Sequence, residues 1–272
     1  MSNKRSSGNG MIAAERRLKI YNWALENGSV NVTALAEMLG VGPDTIRRDL
    51  DELDREGKVV RSHGGAIVKE TGAVRPSYSQ TRNERSCEKS WIGRVAIDYL
   101  PPTGSIFIGG GTTIAQFAMR IPEVHPVSAT TTSPEIAFDL TVNKHVQVGL
   151  LGGQLRSDAY TTDGSLSEEA LEMLLWDVAF IGVSAIDIRN GITSIDRKAA
   201  LLERKIIEHS SKVVVLCDSS KLGRLSYAKV GPVSLIDVLI TDNNANPGFV
   251  DELNVRGVQV VLAEPDVDSS EG

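Results

Sequence analysis

The chain has only two cysteines, Cys87 and Cys217, and their separation fits neither a disulfide framework nor the paired spacing of a structural metal site. Cys217 stands in an apolar run, where a buried thiol is the ordinary expectation. Basic charge is also scarce. There are 29 Lys and Arg against 35 Asp and Glu, a formal net charge of -6, which excludes a bulk positive field able to hold nucleic acid along the whole surface. No apolar run reaches the length of a membrane span and no signal peptide is visible, so the cytoplasm is the expected location. Nucleotide-loop signatures are missing as well: GGGTTIAQF, from Gly109, lacks the lysine of a P-loop and fails the G-x-G-x-x-G spacing. His125, His145 and His209 have no carboxylate or nucleophile companion at a useful spacing. No metal, cofactor or catalytic residue is therefore expected.

Charge is unevenly placed. Residues 1–70 carry 11 Lys and Arg against 10 Asp and Glu, leaving 18 against 25 in the remainder. The near-neutral N-terminal part contains VGPDTIRRDLDELDREG, Val41 to Gly57. Pro43 suits a first helical position, because its missing N–H would be unpaired there anyway, and Gly57 is placed to stop the helix. Ile46, Leu50 and Leu53 fall on one face at helical spacing. Thr45 and Arg48 point elsewhere, with Arg47 on the flank, so the first turns send a hydroxyl and two guanidinium groups outward. Such a helix can enter a DNA major groove, where arginine reads a guanine edge or holds a phosphate and threonine touches either.

Upstream, Leu18, Tyr21 and Leu25 repeat at three and four in a helix expected over residues 13–26. Val32, Leu35, Ala36 and Leu39 form the inner face of a second helix, expected to be capped by Thr33. Gly40-Val41-Gly42 makes a tight turn into the third, and three short helices so joined are a helix-turn-helix. Lys58 to Arg61 then reads as a strand, His63-Gly64-Gly65 as a turn and Ala66 to Val68 as a return strand. This hairpin is a wing, from which Arg61 and His63 reach a phosphate or the minor groove. Double-stranded DNA is the implied partner.

The expected organisation is a tail over 1–12, the winged helix-turn-helix over 13–69, a linker over 70–85, an α/β domain over 86–264 and an acidic tail over 265–272. The linker contains Gly72 and Pro76 and has no clean period. A helix follows from Ser86, with Trp91, Ile92, Val95 and Ala96 inward and Lys89 expected in solvent. From Ser105, uniformly aliphatic strands alternate with helices, which implies a mostly parallel sheet covered on both faces. In such sheets the pocket lies beyond the carboxyl ends of the strands. The residues there are Gly109-Gly110-Gly111-Thr112-Thr113, Thr130-Thr131-Thr132-Ser133, Gly152-Gly153-Gln154, Gly182 to Ser184 and Asp218 to Lys221. Backbone N–H groups and hydroxyls at these positions suit a phosphate or other anion. Lys221 supplies a point charge, and Asp218 orients it or accepts from a sugar hydroxyl. Asp218 with Lys221 is also the one pair that keeps an isomerase or deaminase-like enzyme open as the alternative function.

TIRRDLDELDREGKVVRSHGGA, from Thr45 to Ala66, resembles the amino-terminal signature of the DeoR family of bacterial transcription regulators. The resemblance runs from about Ala14 to Asp242, through GTT at Gly111 to Thr113, Gly152-Gly153, Gly164, FIG at Phe180 to Gly182, G-x-T at Gly191 to Thr193, DSSK at Asp218 to Lys221 and ITD at Ile240 to Asp242. It implies a body related in fold to ribose-5-phosphate isomerase and glucosamine-6-phosphate deaminase. It also implies a homodimer or tetramer that represses carbohydrate-use genes and is released by a phosphorylated sugar or related metabolite. On this reading the effector site comprises Gly110, Gly111, Thr112, Thr113, Thr131, Thr132, Gly152, Gly153, Asp218 and Lys221. The chain departs from the family at Gly42, where a serine cap is usual, at Gly109 for an aspartate, at Thr132 for an asparagine, and at Glu203-Arg204 near a usual Lys-Arg pair. The last three are polar changes around one pocket and imply an altered effector preference or a silent pocket.

Overall fold

A computed structural model describes residues 13–27, 29–62, 64–68, 78–123 and 125–265. The expected tail over 1–12, all but Pro265 of the expected tail over 265–272, His63 and Lys69 of the expected DNA-binding domain, and residues 70–77 of the expected linker lie outside the described residues. The chain divides into two compact units, Met1–Val74 and Arg75–Gly272.

In the first unit, α1 (Ala13–Asn27) leads to a short strand β1 (Ser29–Asn31), then α2 (Val32–Leu39) and α3 (Pro43–Arg55), and closes with β2 (Val59–Ser62) and β3 (Gly65–Val68). The two wing strands pair antiparallel, and β1, which has no counterpart in the expected hairpin, adds to β3 as a third strand. The N-cap of α2 is Asn31 and not Thr33: its Oδ1 accepts from the Thr33 N–H at 2.8 Å, while Thr33 supplies only a backbone donor. The core holds Ile20, Ala24, Val32, Leu35, Ile46, Leu50, Leu53, Val59 and Ala66. Thus α1 buries Ile20 and Ala24, whereas Leu18 is 59% exposed; the same period exists one register along.

The second unit starts with α4 (Tyr78–Asn83), a helix inside the segment expected as linker, and α5 (Ser86–Val95), prolonged by a 3-10 turn over Ala96–Tyr99. There follow β4 (Gly104–Ile108), α6 (Thr112–Ala118), β5 (Val127–Thr131), α7 (Pro134–Leu140), β6 (Val146–Leu150), the hairpin β7 (Gln154–Arg156) and β8 (Thr161–Asp163), and α8 (Ser165–Leu171). The second half has β9 (Val178–Ile181), β10 (Ala185–Asp187), β11 (Gly191–Ser194), α9 (Arg197–Glu208), β12 (Val213–Leu216), β13 (Ala228–Gly231), β14 (Val238–Asp242), α10 (Pro247–Val255) and β15 (Gln259–Ala263).

Seven parallel strands form the central sheet in the order β15-β14-β12-β9-β4-β5-β6. Successive side chains leave opposite faces of a strand, so Ile106 and Ile108 join one core while Phe107 joins the other; Val214 and Leu216 divide likewise from Val213 and Val215. One core packs under α5, α6 and α7 through Ile92, Phe117 and Ile136, and the other under α8, α9 and α10 through Leu171, Ile206 and Leu253. A small antiparallel sheet, β10-β11-β13, lies on the second side. The fold class is therefore as expected, a winged helix-turn-helix and an α/β unit with a doubly covered parallel sheet. The strand order reverses between β4 and β9, where neighbouring loops leave in opposite directions and open a crevice.

Candidate functional site

Helix α3 begins at Gly42, an extended cap without a side-chain hydrogen bond, followed by Pro43. Its inner face buries Ile46, Leu50 and Leu53, and this burial turns Arg47 and Arg48 to solvent with Thr45 half-buried beside them. Arg47 meets Asp44 at 2.6 Å, but both side chains are largely exposed, so the pair is weak and open to exchange for a phosphate. Arg61 is differently employed. Its Nε lies 2.9 Å from Asp51 on α3 and its Nη1 donates to the Gly65 carbonyl at 2.8 Å, which braces the wing against the helix. Asp49, on the inner face, was not legible as a core residue. It receives Arg16 of α1 through Nε at 2.6 Å and Nη2 at 3.2 Å, both side chains being nearly buried.

In the second unit a cavity of about 410 Å³ lies at the carboxyl ends of β4, β9 and β12. Gly109 to Thr113 form one wall, Gly182 to Ser184 the next and Cys217, Asp218, Ser220 and Lys221 a third. The Asp218 carboxylate accepts from the Ser220 N–H at 3.1 Å and from its hydroxyl, while Arg85 stands 3.7 Å away. Asp242, buried at the end of β14, holds the same turn by accepting from the Ser219 N–H at 2.6 Å and hydroxyl at 2.8 Å. Burial would raise its carboxyl, but these hydrogen bonds outweigh burial and hold it below the usual range. Burial pushes the Cys217 thiol up, so it is a neutral wall group.

The β7–β8 hairpin covers another side. Thr162 donates through Oγ1 to the Thr132 carbonyl at 3.0 Å and its backbone N–H to the same oxygen at 2.8 Å. Arg156, also in the lining, is bound to Asp196 at 2.7 Å and Asp158 at 3.0 Å, with Asp163 at 3.7 Å. Burial disfavours its charge, but the bonds to Asp158 and Asp196 prevail and raise it. Lys89, expected in solvent, is 5% exposed and lines the cavity from α5.

Of the residues expected at the effector site, Gly110, Gly111, Thr112, Thr113, Thr132, Asp218 and Lys221 line this cavity together. Thr131, Gly152 and Gly153 do not. The Thr131 hydroxyl accepts from the Ser133 N–H at 3.0 Å within the turn, the Gly152 carbonyl accepts from the Ser167 hydroxyl, and a side chain on Gly153 would meet the Asp163 carbonyl. These three shape the loops. The family departures Gly109, Thr132 and Glu203 all line the cavity, and Glu203 meets the Ser194 hydroxyl at 3.0 Å. Reasoning from strand ends missed Arg85, Lys89 and Arg156, which arrive from a helix corner and a hairpin.

A winged helix-turn-helix with an outward arginine pair, on a chain that also carries an α/β unit with a polar strand-end cavity, defines a class of DNA-binding regulator. Residues 16–71 match a family model described as the DeoR-like helix-turn-helix domain, and residues 84–243 one described as the DeoR C terminal sensor domain. The HTH-type transcriptional regulator GlpR of Haloferax volcanii is 32% identical over 92% of this chain and 98% of its own length. The HTH-type transcriptional repressor GlcR of Bacillus subtilis is 31% identical over 94% and 98%, and the glycerol-3-phosphate regulon repressor of Escherichia coli 29% over 93% and 100%. The chain belongs to the DeoR family of transcriptional regulators. It is a DNA-binding transcriptional regulator, the class to which these relatives' names assign them. Among solved structures, ribose 5-phosphate isomerase A of Methanocaldococcus jannaschii is similar at 18% identity over 49% of this chain and 53% of that one, with a TM-score of 0.37.

Proposed function

We propose that this protein is a homo-oligomeric repressor of carbohydrate-use genes that leaves its operator when a phosphorylated sugar or related metabolite fills the strand-end cavity. The observation that carries the reading is the convergence of Gly110 to Thr113, Thr132, Asp218 and Lys221 on one cavity at the strand-order reversal. Among the described residues the Lys221 ammonium has no ion-pair partner, so its charge is available to an anion. Asp218 and Glu203 supply acceptors for sugar hydroxyls. Repression of carbohydrate genes accords with the names of GlcR and of the glycerol-3-phosphate regulon repressor. No helix of the described residues is long and apolar enough to cross a membrane; the proposed regulator acts in the cytoplasm. Exposed Phe138, Val142 and Leu150 beside the open edge strand β6 give apolar surface for a second copy.

On the DNA side, Thr45, Arg47 and Arg48 contact the operator directly, and Arg61 keeps the wing that carries His63 in place. Arg48→Ala is expected to cost about 1–3 kcal/mol in operator affinity, with specificity relaxed at one base position if Arg48 reads a base edge. Gel shifts at fixed salt against single-base operator variants measure this; an even loss across sequences would assign Arg48 to phosphate.

The effector half is tested by gel shift with the DNA upstream of the protein's own gene, against sugar phosphates and the matching free sugars. Release by a phosphorylated compound and not by its free sugar is expected. Specific binding untouched by every compound would sink the effector reading and leave the DNA-binding one. Lys221→Ala is expected to weaken the active compound about tenfold to a hundredfold by calorimetry, the scale of one hydrogen bond to a charged group.

A further inference from the structure

Lys89 is buried at 5% exposure, yet its ammonium is shared between two places. On one side Nζ donates to the carbonyl of Thr81, in α4, and to the carbonyl of Glu84, just beyond it, at 2.6 Å. On the other side the residue lines the cavity and feels the charges of Asp218 and Lys221. An ammonium has three donors and among the described residues two are used, so one remains for a guest of the cavity that Lys89 lines. Burial lowers this group from the ordinary lysine range, with Asp218, Glu84 and Glu88 opposing the effect and Lys221 adding to it. An anion arriving in the cavity therefore strengthens the charge of Lys89.

The carbonyls that Lys89 holds belong to a short helix and to the residue just beyond it. Helix α4 has six residues and is joined to α5 through Arg85, whose φ of 51° is a left-handed conformation unusual for a residue with a side chain. Besides these bonds α4 packs against α6 and is tied through two of its side chains. The Tyr78 ring lies 5.0 Å from that of Tyr160 in the β7–β8 connection, and Arg82 meets Glu135 of α7 at 3.1 Å. By chain order α4 is the first described element after the boundary between Val74 and Arg75. The main chain coming from the first unit reaches the described part of the second at α4.

We propose that Lys89 couples the cavity to the DNA-binding unit: an anionic effector takes its third donor and alters its hold on the Thr81 and Glu84 carbonyls, and so shifts α4. This rests on the effector reading above and adds the residue that transmits it. Coupling requires an interaction that differs between the two states of the protein. Lys89 supplies one, because the same ammonium serves ligand and helix.

The experiment uses the full chain, the DNA upstream of its gene, and glycerol 3-phosphate, glucose 6-phosphate and fructose 1-phosphate as probes. Calorimetry gives probe affinity, and gel shifts at saturating probe give the ratio of operator affinities with and without it. In the wild type a ratio in the range of about 5 to 150 is expected. In Lys89→Met the ratio at saturation is expected to fall below about twofold, although probe still binds. A ligand contact alone would weaken binding and leave the saturating ratio intact, and that result would overturn the proposal. Tyr160→Ala, at a half-exposed ring outside the cavity lining, serves if Lys89→Met does not fold. It removes a support of α4 and should reduce the ratio at least threefold with probe affinity kept within about twofold; an unchanged ratio would count against α4 as the route. Absence of binding by every probe would overturn the effector reading and the coupling with it, whereas binding with no change in operator affinity would overturn the coupling alone.

Discussion

Asp49→Ala is expected to unfold the DNA-binding unit while the α/β unit remains folded. The carboxylate is on the inner face of α3, and Arg16 reaches it from α1 with two nitrogens, at 2.6 and 3.2 Å. Both side chains are nearly buried, and the hydrogen bond to Asp49 raises the Arg16 guanidinium above its ordinary range despite burial. Removing Asp49 leaves a guanidinium that has lost its main counter-charge in a low-dielectric contact, which costs about 3–5 kcal/mol. A unit of this size has little stability in reserve, so such a loss empties its folded state. Thermal unfolding followed by circular dichroism should show an early transition absent from the wild type, and operator binding should vanish. Asp49→Asn keeps an acceptor and is expected to fall between. By contrast, Asp44→Ala removes the exposed partner of Arg47 and should cost less than about 1 kcal/mol, which makes it the control for charge alone.

Gly93→Val is expected to have a comparable effect on the other unit. Gly93 is buried in α5 where that helix crosses α6, and an added Cβ would lie 2.6 Å from the Gln116 carbonyl carbon and 2.8 Å from the Phe117 nitrogen. These are backbone atoms and cannot rotate away. The helices must separate, at about 3 kcal/mol or more for a branched side chain. The damage reaches the cavity as well, because α5 carries Lys89 and α6 begins with Thr112 and Thr113, all of them lining residues. Reduced midpoint in denaturant and weakened probe binding should therefore appear together. A variant with wild-type stability would mean that the helices can part without loss.

Much of this is legible in the sequence because periodic burial leaves a trace in composition. Ile46, Leu50 and Leu53 mark the inner face of α3, and the uniformly aliphatic strands from β4 to β14 mark a sheet covered on both sides. Their ends, rich in glycine and threonine, point to the cavity for the same reason. What escaped depends on partners distant in the chain. Asp49 looks solvated until Arg16 is brought to it from 33 positions away. Lys89 looks solvated until the α4 carbonyls turn to meet it, and an arginine on the wing, Arg61, looks free until Asp51 is opposite. Leu18 and Ile20 offer alternative registers for one helix face, and only packing decides between them. Strands of three or four residues, such as β7, β8, β10 and β11, are too short to show any alternation.

In the central sheet β4 has β5 and β6 on one side and β9, β12, β14 and β15 on the other, so its pairing joins residues far apart in the chain. The first unit needs only contacts within residues 13–68, and these close short loops. The cavity instead needs Gly109 beside Phe180, where its N–H donates at 2.8 Å, and then the turn at Asp218 to Lys221. Long-separation parallel pairing is slow, since the loop entropy must be met before the contacts form. During synthesis the reading head is therefore complete when less than a third of the chain has emerged, and the sensing pocket only after most of it has. A nascent or truncated product would carry the winged helix-turn-helix without the cavity of the second unit.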